Sequence, residues 1–297
     1  MKTNSIYKSE KDKQEILKLY DQKLASLNVR YDEQFVETFV GGQTHIISLG
    51  EAGLPPVVLL HGLNAGAPMA LEVIKGLAAK YRIHAIDIIG QAGKSAETRI
   101  SVKDLSYGKW LAEVFDRLQL EKVPVIAVSY GAFVLQRLIA YQPQRIERAI
   151  FVVPAGIVGG SFFQSVFKLL LPMRKFLKTK QMSDLLKFMD AFYTTKDDFS
   201  IAFQKLTLLG VNMDMRRPPL LKIDEMKLLD GPVYVLAADD DVFFPAEKMI
   251  KRCRQIFKTL AETKILPNSK HVPGDKDYDE IEKNIGRWLA ERRTESN

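Results

Sequence analysis

Pro124-Val-Ile-Ala-Val-Ser-Tyr-Gly-Ala132 is an apolar, β-branched run that stops abruptly at a serine flanked by small residues, and a helix-like stretch from Phe133 to Tyr141 follows at once. A strand that turns sharply into a helix at a serine lifts the hydroxyl clear of the backbone. That is the strand–turn–helix context of a nucleophile elbow, with the pattern small-x-Ser-x-small. Small residues are needed because the turn brings strand and helix backbones together and leaves no room for branching at Cβ. Gly131 fits the pattern, and Ala127 stands where a first glycine is usual. The pattern alone is common, so its weight comes from the flanking strand and helix.

Outward from Ser129, short apolar runs alternate with helical patterns. Strands are predicted at Val57–Leu60, Ile83–Ile88, Val123–Val128 and Ala149–Val153, and helices at Met69–Lys80, Ser101–Leu118 and Ala132–Tyr141. Ser101 is the expected N-cap of the second helix, with Asp104 at the capping-box position. Two further runs, Phe35–Val40 and Thr44–Leu49, flank Gly41-Gly42 and predict a β-hairpin. Before it, Ile16, Leu17, Tyr20, Leu24 and Leu27 recur at helical spacing, an amphipathic helix that packs on the body or on a partner. Alternating β and α elements with continuous apolar strands predict an α/β fold with a mostly parallel sheet covered by helices on both faces.

The alternation breaks after Pro154. From Ala155 to Asp230 there is no convincing strand, only helical patterns at Ser183–Phe192 and Asp198–Leu209. Strand character returns at Pro232–Leu236 and Lys264–Leu266, with helices at Ala246–Lys258 and Tyr278–Glu291. The expected organisation is an N-terminal helix in 1–30, a core made of 31–154 and 231–297, and an inserted helical cap in 155–230. The insertion carries 12 Lys/Arg against 8 Asp/Glu. Within it, Phe162 to Lys180 is both apolar and basic, including Phe162, Phe163, Phe167 and Leu171. A lid helix packed on the main domain is the favoured reading, and a helix lying on a membrane surface is the alternative.

Composition narrows the function classes. The 297 residues, 46% hydrophobic, supply a large core. No apolar run is long enough to span a bilayer, and residues 1–13 lack a signal-peptide core. A single cysteine, Cys253, excludes an intrachain disulfide and argues for a reducing, cytoplasmic setting. The net charge of +7 is spread along the chain, which points to a basic solvated surface and not to a nucleic-acid partner. Ala92-Gly-Lys-Ser95 resembles part of a phosphate loop, but Ile88 stands where that motif needs glycine, so no nucleotide is implied. No cofactor or metal is expected, since no histidine pair or thiolate cluster has ligand spacing.

A serine hydroxyl needs a base to become a nucleophile, and the base needs an orienting acid. The chain has four histidines. His45 lies in the hairpin, His84 inside a strand, and His61 directly after one. His271 lies in Pro267-Asn-Ser-Lys-His-Val-Pro-Gly274, a loop at a strand's carboxyl end, where open α/β sheets gather their sites. His271 is therefore the candidate base. Carboxylates stand at another strand end, in Ala237-Ala-Asp-Asp-Asp-Val-Phe-Phe-Pro245. A solvated loop or a cation site is the other reading of that run.

With these residues in place, the chain resembles an α/β-hydrolase of the serine-triad type with a helical cap, over nearly its whole length. Leu59-Leu-His-Gly-Leu63 resembles the family's oxyanion segment, Ala127-Val-Ser-Tyr-Gly131 its elbow, and Asp87-Ile-Ile-Gly-Gln-Ala-Gly-Lys-Ser95 its Asp-x-x-Gly loop with one extra residue. Gly42-Gln-Thr-His45 and Asp87-Ile-Ile-Gly90 look especially like the bacillar carboxylesterase NP type. The resemblance implies a triad of Ser129, Asp241 and His271, with Asp240 as the fallback acid, and oxyanion donors at the backbone of Leu63 and Tyr130. Lys270 departs from the family, which often has glycine there; it either raises the local potential beside His271 or points outward. The implied activity is cleavage of small-to-medium apolar carboxylic esters, with a small-molecule ester as partner, no stable membrane insertion, and homo-oligomerisation left open. Dehalogenases and epoxide hydrolases of this fold use aspartate at the elbow, which Ser129 argues against. Carbon–carbon hydrolases, acyltransferases, cofactor-free haloperoxidases and a non-catalytic ligand-binding relative stay open as alternatives.

Overall fold

The computed structural model of the chain describes residues 5–160 and 165–291; Phe162 and Phe163 of the apolar, basic stretch lie outside the described residues. Among the described residues, eight strands form one sheet. They are β1 (Tyr31–Thr38), β2 (Gly42–Leu49), β3 (Pro56–Leu60), β4 (Arg82–Ile86), β5 (Val123–Val128), β6 (Ile146–Val152), β7 (Val233–Ala238) and β8 (Leu260–Leu266). Their spatial order is β1-β2-β4-β3-β5-β6-β7-β8. The first two strands form the antiparallel hairpin, and β2 also runs antiparallel to β4. Every other pairing is parallel.

Helices cover both faces, as continuous apolar strands require. On one face α3 (Ser106–Arg117), α4 (Tyr130–Tyr141) and α9 (Ala246–Ile256) bury Trp110, Phe115, Phe133, Met249 and the thiol of Cys253. The opposite face is covered by α1 (Glu10–Ser26), α2 (Ala67–Ile74) and α10 (Asp275–Ala290), with Tyr20, Leu71 and Trp288 fully buried. Each such side chain taken out of water contributes about 2 kcal/mol. The apolar stripe of α1 is therefore used by the chain's own sheet.

Between β6 and β7 lie α5 (Leu171–Thr179), α6 (Met182–Met189), α7 (Asp198–Gly210) and the short α8 (Ile223–Met226). Phe176, Leu185, Phe188, Met189, Phe192 and Leu208 form a small core of their own, closed on the sheet side by Val242. The N-terminal segment is stapled to this insertion: Lys8 N donates to Gly210 O at 2.8 Å, and Asn212 N to Ile6 O at 2.7 Å.

Two helices differ from the sequence expectation. The helix expected from Ser101 begins at Ser106. Ser101 Oγ accepts from Lys103 N and the Asp104 carboxylate accepts from Ser106 N, so both side chains close two-residue turns in place of capping a helix. The helix expected over Met69–Lys80 tightens after Ile74 into a 3-10 turn ending at Ala79.

The contact between α3 and α4 is close enough to need glycine. A Cβ on Gly108 would stand 2.2 Å from the carbonyl oxygen of Arg137, and backbone cannot yield as a flexible side chain does. Gly108→Ala is expected to cost about 1–3 kcal/mol, the usual range for overpacking. Chemical denaturation checks this as a lowered unfolding midpoint; an unchanged midpoint would contradict the tight crossing.

Candidate active site

The site is built at the carboxyl ends of β3, β5, β7 and β8. Ser129 follows β5 directly and has φ 48° and ψ −109°, a left-handed conformation that a non-glycine residue adopts at a cost of about 1–3 kcal/mol. Hydrogen bonds lock the turn: Ser129 N donates to Val152 O at 2.9 Å, and Ala155 N to Ser129 O at 3.0 Å. Gly131 is required here, because a Cβ would stand 2.6 Å from Leu60 O. Helix α4 starts at Tyr130, whose backbone N–H, in the first turn, has no intrahelical acceptor.

The structure brings Ser129, His271 and Asp241 into contact. Ser129 Oγ lies 2.9 Å from His271 Nε2, and His271 Nδ1 lies 2.8 Å from Asp241 Oδ2. A carboxylate only accepts, so Nδ1–H donates to Asp241. In the neutral ring Nε2 then carries the lone pair and accepts the Ser129 O–H. The other Asp241 oxygen accepts from Phe243 N at 2.8 Å and Phe244 N at 3.0 Å, which fixes the buried carboxylate. The rings of Phe243 and Phe244 meet the imidazole edge-on, with centroids at 4.8 and 5.3 Å.

The three consecutive aspartates have different surroundings. Asp239 accepts from Asn268 N and Ser269 N and so shapes the turn that leads to His271. Asp240 is exposed; its backbone N donates to Ser269 O. Of the three, Asp241 is the one that meets the imidazole. The inserted segment grips the same loop: Val272 N donates to Phe192 O, Thr194 N to Val272 O, and Lys270 N to Thr194 Oγ1. Lys270 Nζ turns away from the imidazole and donates to Asp190 O at 2.6 Å. Sequence reasoning missed Phe243, Phe244 and Thr194, and only the Asp-Asp-Asp run signalled Asp239.

Leu63 lies on the loop after β3, next to Gly62, on which a Cβ would be 3.5 Å from Ser129 Cβ. This loop is held at several points. Ile88 N donates to His61 Nε2 at 2.9 Å, so the neutral ring carries its proton on Nδ1 and donates to Gly62 O at 2.8 Å. Burial pushes the His61 imidazole down, which keeps it neutral. Asn64 N donates to Gln91 Oε1 at 2.9 Å. Ala67 N, just beyond the loop, donates to Asp87 at 2.8 Å.

Asp87 anchors a buried polar cluster. Its carboxylate also accepts from Tyr20 O–H at 2.8 Å and from Lys94 N at 3.0 Å, and it lies 3.0 Å from His45 Nδ1. Burial alone would push this carboxyl up; the hydrogen bonds from His45 and the Ala67 amide outweigh burial and hold it at about 2. Lys94, from the stretch that resembled a phosphate loop, is committed internally to Asp21 and Glu33 at 2.8 and 2.7 Å. His84 contacts Ser48 Oγ, away from the serine. Among the described residues, no group of three or more His, Cys, Asp or Glu side chains is placed to hold a metal ion.

This fold, with a serine at its elbow, defines a class. Residues 55–204, half of the chain, match the family described as alpha/beta hydrolase fold, and the chain belongs to that family. It is similar to an uncharacterized carboxylesterase, nap, of Bacillus subtilis, with 35% identity over 136 residues, 46% of this chain and 45% of the relative. Carboxylesterase YbfK of the same organism is 32% identical over 136 residues, 46% of each chain. The match thus spans about half the length of these curated relatives. Among solved structures, naproxen esterase (carboxylesterase NP) from Bacillus subtilis superposes with a TM-score of 0.82 at 21% identity, covering 95% of this chain and 99% of that one. A membrane phospholipase A superposes with a TM-score of 0.72 at 16% identity, covering 94% and 90%. These likenesses establish the fold.

The anchoring role of Asp87 has a pH signature. Its folded carboxyl sits below its ordinary value of 3.8, so its contribution of about 2 kcal/mol is complete above the ordinary value and is lost as pH falls toward 2. Between those limits, the stability of the wild type is expected to fall more steeply than that of Asp87→Asn. Urea titrations at a series of acidic pH values read the difference, and parallel slopes would count against it.

Proposed function

We propose that the chain is a serine hydrolase that cleaves small-to-medium apolar carboxylic esters through an acyl-enzyme. The observation that carries this reading is the continuous contact from Ser129 Oγ through the His271 imidazole to the buried Asp241 carboxylate. Likeness to carboxylesterases over 46% of the chain supports it.

In the proposed reaction Ser129 Oγ attacks the ester carbonyl while its proton passes to His271 Nε2. Asp241 holds the imidazole orientation and stabilises the imidazolium. The backbone N–H groups of Leu63 and Tyr130 receive the developing oxyanion; the second sits at a helix N-terminus, where positive potential gathers. As the carbon–oxygen bond to the alcohol breaks, His271 returns the proton to the leaving oxygen. Water then attacks the acyl group by the same route, releasing the acid and restoring Ser129. Residues 155–230 act as a cap over the core of 31–154 and 231–297, with the helix of 1–30 bracing both. Phe192 in that cap, whose ring meets Phe243 beside His271, supplies an apolar wall for acyl or alcohol groups. The single, buried cysteine suits a cytoplasmic setting.

A fluorophosphonate probe tests the nucleophile directly: the wild type is expected to label and Ser129→Ala is not. On soluble aryl esters, Ser129→Ala or His271→Ala should lower kcat by about a million-fold, with a smaller loss for Asp241→Asn. Absence of labelling in the wild type would favour a ligand-binding role for the same site. A panel of esters of graded acyl length then reads the preferred substrate.

A further inference from the structure

The insertion carries a second feature. A π-helical turn (Ser165–Leu170) runs directly into α5. One side of this element faces the protein: Phe176 is fully buried, and Leu169, Met173 and Leu177 pack on the insertion's core. The opposite side holds Phe167 and Leu171, which are 64% and 47% exposed. Helical spacing places Lys168, Arg174, Lys175 and Lys178, all exposed, around those two side chains. At the start of α6, Met182 is 44% exposed. The element is thus apolar on both faces, and its outer apolar centre has a rim of cations.

The charge is one-sided. The chain has no acidic residue between Glu147 and Asp184. Lys175 pairs with Asp184 at 2.8 Å, whereas Lys168, Arg174 and Lys178 have no ion pair among the described residues. Cations gathered in this way attract a negatively charged surface. A second copy of the same face would be repelled by like charge. A polyanion or an acidic protein would satisfy the cations and leave Phe167 and Leu171 without a function. An anionic bilayer surface suits both features, because its headgroups are negative and the acyl boundary directly beneath them is apolar.

We propose that this outer face of residues 165–182 is a peripheral docking surface for anionic lipid membranes. Lys168, Arg174 and Lys178 meet the headgroups, while Phe167 and Leu171 enter the acyl boundary. Among the described residues no helix is long and apolar enough to cross a membrane, so attachment through this face is reversible. The proposal does not depend on the reaction assigned to Ser129, since vesicle binding and ester cleavage are read separately.

The test is co-sedimentation of the full chain with phosphatidylcholine vesicles with and without phosphatidylglycerol, at low and high salt. The wild type is expected to sediment with the anionic vesicles, to release at high salt, and to ignore phosphatidylcholine alone. The triple variant Lys168→Glu, Arg174→Glu, Lys178→Glu should bind at least about a hundredfold more weakly, at about fivefold or more per lost cation. The double variant Phe167→Ser, Leu171→Ser should lose about tenfold or more. Because all five side chains are exposed, both variants should keep the wild-type unfolding midpoint and cleave a water-soluble ester as the wild type does. Glutamine in place of glutamate at the three basic positions provides a second, milder variant. No binding of the wild type to anionic vesicles at low salt overturns the proposal, as does wild-type binding by the charge variants. If charge reversal abolishes binding and the Phe167/Leu171 variant binds normally, the surface is a general polyanion site and the lipid assignment fails.

Discussion

The site depends on one close approach, that of the first turn of α4 to the end of β3 at Gly131. A single methyl group there would drive into the Leu60 carbonyl. The approach is what allows the chain to reverse from strand to helix within one residue. Ser129 takes the resulting positive φ, and its backbone bonds to Val152 and Ala155 hold it there against its own preference. Strain of this kind persists only where the surroundings over-determine it. Here the parallel pairing of β3, β5 and β6 does so.

Facing this rigid turn is a loop that belongs to two parts of the chain. His271 is reached from below by Asp241 and Asp239, which shape the loops after β7 and β8. From the other side Phe192 and Thr194 of the insertion bond its neighbours. The insertion therefore holds the loop in which the imidazole is carried. Phe243 and Phe244 complete the arrangement by packing edge-on against the imidazole.

The loop that carries Leu63 has a different support. It is tied by a cluster buried among charges: Asp87 receives hydrogen bonds from α1, from the 94 region and from the N-terminus of α2, and His45 bridges it to Glu33 at 2.9 Å. A buried carboxylate is costly unless every lone pair is answered. Here Tyr20, His45, Ala67 and Lys94 provide the answer. The N-terminal helix is thereby linked, through Tyr20 and Asp87, to the position of the loop after β3.

How far the sequence reaches is clear from particular residues. The elbow was legible because two periodicities, that of a strand and that of a helix, change over within a few residues around Ser129. His271 was legible because only four histidines exist and the other three sit in or next to strands. The start of α3 was misread: Ser101 and Asp104 look like capping residues, yet their side chains bond only two residues ahead, a choice made by the path of the chain. Asp239, Asp240 and Asp241 are chemically identical and adjacent, so no property of the run separates them; the direction of the turn after β7 does. The grip of Thr194 on the His271 loop joins residues 76 positions apart. The order and character of the elements were thus determined locally, by periodicity and turn chemistry. Which carboxylate meets which imidazole, and which loops are locked together, was decided only by tertiary packing, because these depend on directions and distances that a linear pattern does not contain.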